Sequence, residues 1–490
     1  MIYPIEEIFR TEGIPEYTFV RPPNYNEILV DLRHLGKPVI IEGQSGTGKT
    51  TTIRKIIDQS LADRNFQYLS ARKSRDTTRI DELANNGGPG AFIIDDFHRL
   101  ASDVQEKLGD IIKVAAEESD PDEHPKIVLI GINRVGSELI HFVPDIAKRC
   151  GIHRIHPADE EGTIRLIERG EEKLNITITD KDVIAKESRG DYWVTQLLCQ
   201  TVCLMQDITQ TQEAARQVPF KVDETRQRVA SRLEHAYLEA VKEFCRGKRF
   251  RSSNDPYFKL LREISKQDSS IVDLEMLANS TPEVKGSINN IKEKRLSILL
   301  ESKPNCERHF YYNAETKNFA IEDPALFYYL KHLNWEELRQ ECGFKHTDKD
   351  YEFDYAISFA GENRELARQI SLLLETLDCS VFFDELYENN YLGKTWQRSF
   401  EEIFRHKSRL VVCLLDTNYR DKIWPTFEKE CFLPRIADEA VIPIYLDDTT
   451  FVGIPSDTVG IKFKRDTSKS LEDQVTDEIV FRLVDKLDGV

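Results

Sequence analysis

The sequence predicts an α/β multidomain protein with a parallel sheet near each end and a largely helical stretch between them. Three observations carry this. A short apolar pattern, Pro38-Val-Ile-Ile41, runs into a glycine loop, Gly43-Gln-Ser-Gly-Thr-Gly-Lys-Thr50, and then into a helix pattern over Thr51 to Leu61. From Tyr351 onward, strand-like and helix-like segments alternate regularly. In the middle, apolar residues recur mainly at helical spacing. Strand-helix alternation builds doubly wound parallel sheets, whose ligands collect at the C-terminal strand ends.

Composition narrows the partners. The chain has 490 residues, room for about three domains. Hydrophobic residues make up 40% and charged residues 31%, which describes a globular chain rather than a disordered one. The 67 Lys+Arg against 85 Asp+Glu leave a net charge of -18, so neither nucleic acid nor an anionic membrane is expected as a partner. Nine cysteines lie scattered without a CxxC pair, which excludes a disulfide framework. Cys199 and Cys203 read as core packing. The longest apolar runs, such as Ile127 to Ile132, are strand-sized, and Met1-Ile-Tyr-Pro-Ile-Glu-Glu lacks signal-peptide character. A reduced, cytoplasmic protein is expected.

The glycine loop fits G-x-x-x-x-G-K-[ST] in the strand-loop-helix context that the motif requires. Gly43, Gly46 and Gly48 let consecutive N–H groups turn inward toward phosphate oxygens, and the following helix adds its positive end. Lys49 reaches the β- and γ-phosphates of ATP in this reading, and Thr50 places its hydroxyl on Mg²⁺. Ala91-Phe-Ile-Ile-Asp-Asp96 supplies the carboxylates: Asp95 for Mg²⁺ through water, and Asp96 to orient or deprotonate the attacking water.

This stretch resembles the AAA+ and STAND ATPases. The resemblance implies that Asn133, at the end of the strand Lys126 to Asn133, polarises the attacking water. It also implies that Arg149 reads the γ-phosphate, often across a subunit boundary; an ordinary solvated helix end is the alternative. Glu160 to Gln206 reads as mainly helical and resembles the helical lid of those families, with Tyr192 standing where their proline would be.

After the polar stretch Asp207 to Gln227, a linker or exposed helix, three helices are expected: Tyr257 to Ile264, Ile271 to Leu277 and Val284 to Leu296. Ile298 to Leu300, Phe310 to Tyr312 and Phe319 to Ile321 are expected as strands. The set resembles a winged helix. Its third helix carries Lys285, Lys292, Lys294 and Arg295, a DNA-reading pattern, but Glu283 and Glu293 dilute it and the chain is acidic. A structural relay is the preferred reading.

The expected C-terminal elements are Phe353 to Phe359, Ser380 to Asp384, Leu410 to Leu415 and Val441 to Leu446 as strands. Between them, Glu365 to Leu377, Thr395 to Arg405 and Trp424 to Leu433 are expected as helices. The blocks Asp354-Tyr-Ala-Ile-Ser-Phe-Ala-Gly-Glu362, Val381-Phe-Phe-Asp384 with Leu392-Gly-Lys-Thr-Trp396, and Leu410 to Tyr419 with Trp424-Pro-Thr-Phe-Glu428 together resemble TIR domains, from Tyr351 to the end. In TIR enzymes the glutamate four residues after this tryptophan cleaves the nicotinamide-ribosyl bond of NAD⁺, which implies Glu428. The chemistry agrees: nicotinamide leaves without acid help, while an oxocarbenium-like ribose needs a nearby carboxylate. Trp424 and Glu428 share a helix face. Phe359 and Trp396 are candidate aromatic walls, with plain core as the alternative. Asp384 and Arg364 are candidate polar contacts.

The expected domains are 1–157, a P-loop ATPase core; 158–220, a helical lid; 221–345, a winged-helix-like module; and 346–490, a flavodoxin-like parallel-sheet TIR domain. ATP and Mg²⁺ are the implied cofactors and NAD⁺ the substrate. The resemblance implies self-association through the ATPase and TIR parts in response to an unnamed trigger, in a defence role like that of prokaryotic antiviral and plant-type immune receptors. A non-enzymatic TIR scaffold timed by an ATPase is the rival class.

Overall fold

The computed structural model describes the chain except for residues 119, 121, 132–148, 253, 346–349, 384–399, 423–427, 452–453, 455–457 and 490, and the side chains of 428–430 and 432–433. The chain divides into two compact units. The first comprises Met1–Tyr237, Asp268–Ile271 and Ile321–His332; the second comprises Leu238–Gln267, Val272–Ala320 and Leu333–Val490.

The first unit is built on a parallel sheet of β1 (Val39–Glu42), β2 (Gln67–Ser70), β3 (Gly90–Asp95), β4 (Pro125–Gly131) and β5 (Gly151–Arg154), in the order β2-β3-β4-β1-β5. Successive side chains of a strand point to opposite faces, and a doubly wound sheet buries both. Accordingly Ile40, Phe92, Ile94, Ile127 and Leu129 join one apolar cluster, while Val39, Ile41, Ile93, Val128 and Ile130 join the other. Each such side chain contributes about 1.5–3 kcal/mol on burial. The helix Lys49–Ser60 packs Ile53, Ile56 and Ile57 into the second cluster. Glu160–Leu174, Lys181–Ser188 and Tyr192–Met205 supply the expected helical stretch, with β6 (Ile176–Ile178) pairing β7 (Arg216–Val218). Cys199 and Cys203 are fully buried thiols, as packing required. The polar stretch Asp207 to Gln227 contains β7 and the start of the helix Val222–Arg246.

In the central stretch the helix Pro256–Ser265 matches expectation, while the next segment opens as a strand, β8 (Ile271–Asp273), before the helix Leu274–Ser280. Asp273 causes the change: its carboxylate accepts from the backbone N–H of Glu275 and Met276, so the helix starts behind it. Ile298 to Leu300 is not a strand. It lies in the helix Arg295–Ser302, where Leu296, Leu299 and Leu300 make one buried helical face. β9 (Phe310–Asn313) and β10 (Asn318–Ile321) form with β8 a sheet in the order β8-β10-β9.

The TIR-like sheet of the second unit contains β11 (Phe353–Ser358), β12 (Val381–Phe382), β13 (Ser408–Leu415), β14 (Val441–Tyr445) and β15 (Ile461–Lys462), all parallel, in the order β12-β11-β13-β14-β15. This is the 2-1-3-4-5 order of the flavodoxin-like fold. All eight residues of β13 are buried. Leu410, Val412 and Leu414 face one cluster, and Val411, Cys413 and Leu415 the other.

A buried ionic network stitches this sheet to the helices preceding it in the same unit. Asp354 on β11 is 2% exposed and accepts from Arg251 at 3.1 Å, Asn254 at 3.0 Å and the Ser380 N–H at 2.8 Å. Arg295 pairs with Asp378 at 2.9 Å. Burial pushes the Asp354 carboxyl up, but the Arg251 and Arg295 guanidiniums more than offset it and hold its pKa low. Arg295 is therefore turned inward, and Lys292 pairs with Glu275 at 2.8 Å, so two of the four basic side chains of the DNA-reading pattern are engaged within the unit. Removing one partner of a buried pair strands the other charge, so Asp354→Ala is expected to cost about 3–5 kcal/mol. Hydrogen exchange at the β11 and β12 amides should accelerate correspondingly.

Candidate functional site

In the first unit β1 ends at Glu42 and β3 at Asp95, opposite Gly131 and Ile130 of the β4 strand lying between them. The glycine loop and the acidic pair therefore leave the sheet side by side. Gly46 and Gly48 take φ of 78° and 88°, and at Gly43 an added Cβ would meet the Ile155 carbonyl oxygen at 2.3 Å. Lys49 donates to the carbonyls of Gly43 at 2.8 Å and Gln44 at 2.7 Å, which folds the ammonium back over its own loop. Burial pulls the Lys49 pKa down to about 8 against the opposing fields of Asp95, Asp96, Glu322 and Asp191.

The Thr50 hydroxyl donates to Asp95 Oδ2 at 2.8 Å, and Tyr68 donates to the same oxygen at 2.6 Å. Burial, then Asp95, push the Tyr68 phenol up. A hydroxyl and a carboxylate oxygen brought together this way are hard donors of the kind Mg²⁺ takes, so these residues fit the cation. Asp96 has φ 59° and is held through Oδ2 by Ser70 at 3.1 Å and Arg72 at 3.0 Å. Tyr68, Ser70 and Arg72, on and just after β2, were not read as site residues. The pairing of β2 with β3, which sets Ser70 opposite Asp95, brings them there.

Arg149 does not join this chain's own site. It precedes Gly151, which pairs with Val39 at the start of β1, so it stands at the sheet edge opposite the loop and pairs with Glu117 at 2.5 Å. Asn133 lies outside the described residues. On the lid, Asp191 caps the helix Tyr192–Met205 by accepting from Val194 N–H at 2.9 Å. The Tyr192 N–H donates to the Gly46 carbonyl at 3.2 Å. The Asp191 carboxylate lies directly beside Gly46, and the Tyr192 ring flanks Gly48. Burial pushes the Asp191 carboxyl up to about 7. The sequence drew attention to Tyr192 but not to Asp191.

In the second unit the order of strands reverses at β11, and the crevice expected at such a switch point lies between β11 and β13. Phe359 and Arg364 follow β11 directly. The Arg364 guanidinium stands 5.3 Å from the Phe359 ring centroid, and Phe359 meets Phe383 at 5.4 Å. Phe359 is half-buried against the core, so it has both a packed and an open side. Hydrogen bonds bridge the crevice among the described residues, including Ser358 with Tyr419 at 2.7 Å and Asn363 to Asp416 at 2.9 Å. Asn363, Asp416 and Tyr419 were missed, because each reads as ordinary loop polarity until the switch point is located. Glu428 is the first residue of the helix Glu428–Ala437. Asp384, Trp396 and Trp424 lie outside the described residues.

The two shifted groups at the glycine loop give a pH dependence of known sign. Below about pH 7 Lys49 is charged and Asp191 neutral, both favourable to a phosphate; above about pH 8 Lys49 loses its proton and Asp191 is anionic. ATP affinity should therefore fall as pH rises from 6.5 to 9, by up to about tenfold per unit for each group titrating. Asp191→Asn, which keeps the cap, should remove the lower part of the decline in a fluorescent-nucleotide titration.

The family model for the TIR domain matches residues 356–480. The 3′ cyclic ADP-D-ribose synthase AaTIR of Aquimarina amphilecti is 31% identical over 143 residues, covering 29% of this chain; the chain spans 41% of that relative's length. Among solved structures, the ORC2 protein of Aeropyrum pernix (13% identity, TM-score 0.35) covers 68% of this chain and 98% of its own. The Walker-type ATPase of Pyrococcus abyssi (14%, TM-score 0.37) covers 66% and 99%. The RuvB branch migration motor of Thermotoga maritima (16%, TM-score 0.33) covers 68% and 100%. Likenesses this loose carry no weight beside the loop geometry itself. The C-terminal part of the chain, over residues 356–480, is a TIR domain.

Proposed function

We propose that the chain is an ATP-regulated NAD⁺ nucleosidase, in which the TIR domain releases nicotinamide and the P-loop unit controls when it does so. The observation that carries the reading is that the sequence match to AaTIR, a 3′ cyclic ADP-D-ribose synthase, lies in a domain where Glu428 opens a helix after β13. In the proposed reaction the bond between ribose C1′ and the nicotinamide nitrogen breaks, and nicotinamide leaves neutral with the electron pair. The cationic C1′ is stabilised by the Glu428 carboxylate and then captured by water, which yields its proton to solvent. Phe359, Arg364 and, by the resemblance, Asp384, Trp396 and Trp424 would hold the dinucleotide.

At the other site Gly43, Gly46, Gly48, Lys49 and Thr50 would hold the ATP phosphates, with Asp95 and Thr50 holding Mg²⁺. The cation, when bound, neutralises charge on the phosphate oxygens. Asp96 would take a proton from the attacking water. ATP-dependent assembly would bring TIR domains together and complete the NAD⁺ pocket, and Arg149 would then read the γ-phosphate of a neighbouring copy. The biological setting that suits such a device is defence, where loss of NAD⁺ halts an infected cell.

Measured nicotinamide release from the full chain with ATP and NAD⁺ should fall about a hundredfold or more in Glu428→Ala. Lys49→Ala should abolish only the ATP dependence of that release. Equal release from wild type and Glu428→Ala would sink the enzyme reading in favour of a scaffold.

A further inference from the structure

The geometry points to Glu322 as a positioning residue for ATP hydrolysis, acting through Arg72 on the Asp96 carboxylate. This rests on the reading of Asp96 as the base. Glu322 directly follows β10, and its side chain is 1% exposed within the first unit. Three cationic or proton-bearing groups converge on it: His98 at 2.5 Å, Arg99 at 2.8 Å, and Arg72 at 3.3 Å. Burial opposes its charge, yet the bonds from His98 and Arg99 hold its pKa down to about 2, so it is a fixed anion.

Arg72 is the shared member. Its Nη2 faces Glu322, and its Nε faces Asp96 Oδ2 at 3.0 Å. Ser70 binds the same Asp96 oxygen at 3.1 Å. Among the described residues nothing donates to Asp96 Oδ1. The carboxylate is thus clamped by one oxygen and presents the other, which is what a base needs: a fixed lone pair aimed at a water. In the step served, water gives its proton to Asp96 as its oxygen bonds to the γ-phosphorus. The bond from that phosphorus to ADP breaks, and ADP leaves with the electron pair. Without Glu322, Arg72 has no anchor on its far side and the clamp on Oδ2 loosens. A carboxylate buried beside two arginines and a histidine is costly unless each charge is paired, and here Arg72 carries that pairing on to Asp96.

Arg72 is 39% exposed, so Arg72→Ala is the primary variant in the full chain, with Glu322→Gln as the second. Arg72→Ala should lower kcat for ATP hydrolysis about tenfold or more. KM for ATP should stay within about twofold. Glu322→Gln should lower kcat in the wild-type background and add nothing in Arg72→Ala, since one acts through the other. An unchanged kcat in Arg72→Ala, a loss carried by KM alone, or additive effects would overturn the proposal. If Glu322→Gln does not fold, the split between kcat and KM in Arg72→Ala decides. A wild type that hydrolyses ATP while Asp96→Asn does not upholds the base assignment independently. Absence of hydrolysis in the wild type overturns both.

Discussion

Parallel pairing is the constraint from which the placement of every candidate residue follows. Strands that all run one way deliver all their C-terminal ends to one edge, and the crossover helices must cover both faces. In the first unit that edge receives the glycine loop after Glu42 and the acidic pair at Asp95. In the TIR domain it receives Phe359 and Arg364 after β11 and Asp416 after β13. Apolar burial on both sheet faces supplies the stability that lets the edge carry unfavourable features, among them the left-handed Asp96 and the crowded Lys49.

Charge is buried in both units, but to different ends. Around Asp354 and Arg295 the pairs are closed: Asp354 meets guanidinium, amide and backbone donors, and Asp378 meets Arg295, inside the fold. Such a network fixes one geometry. Around the glycine loop the pairing is open. Lys49 is turned onto the Gly43 and Gln44 carbonyls, and burial pushes Asp191 up. Groups held with depressed or raised pKa in a crevice are where an incoming charge does most.

Much of this was legible in the sequence because it rests on local pattern. The strand into Gly43, the double Asp at Asp95 and Asp96, and the alternation after Tyr351 each specify an element and its function-bearing end. Ile298 to Leu300 misled because three apolar residues fit a short strand as well as a helix face, and only Leu296 before them, with Leu299 and Leu300, sets the helical spacing. Glu322 and Arg72 were invisible for a different reason. They are 250 positions apart, and no spacing rule joins them; the fold alone brings their side chains together. Tyr68 on Asp95 and Asn363 on Asp416 belong to the same class. Arg149 was legible as a placement but not as a role, since the edge of the sheet it occupies excludes it from its own site without naming another.

A nucleotide can move this protein only by binding one arrangement better than another. The glycine loop meets that condition, because its contacts in this arrangement compete with phosphate. Lys49 would exchange two carbonyls for phosphate oxygens, and Asp191 and Tyr192 lie against Gly46 and Gly48, where added negative charge is opposed by one and crowded by the other. Each conflict favours a shift of the lid turn over a rigid fit. That turn caps the helix Tyr192–Met205 through Asp191, which ties it to the helix. Under the proposed function, ligand charge at the loop would displace the buried helix together with its cap, which is what a signal leaving the site requires.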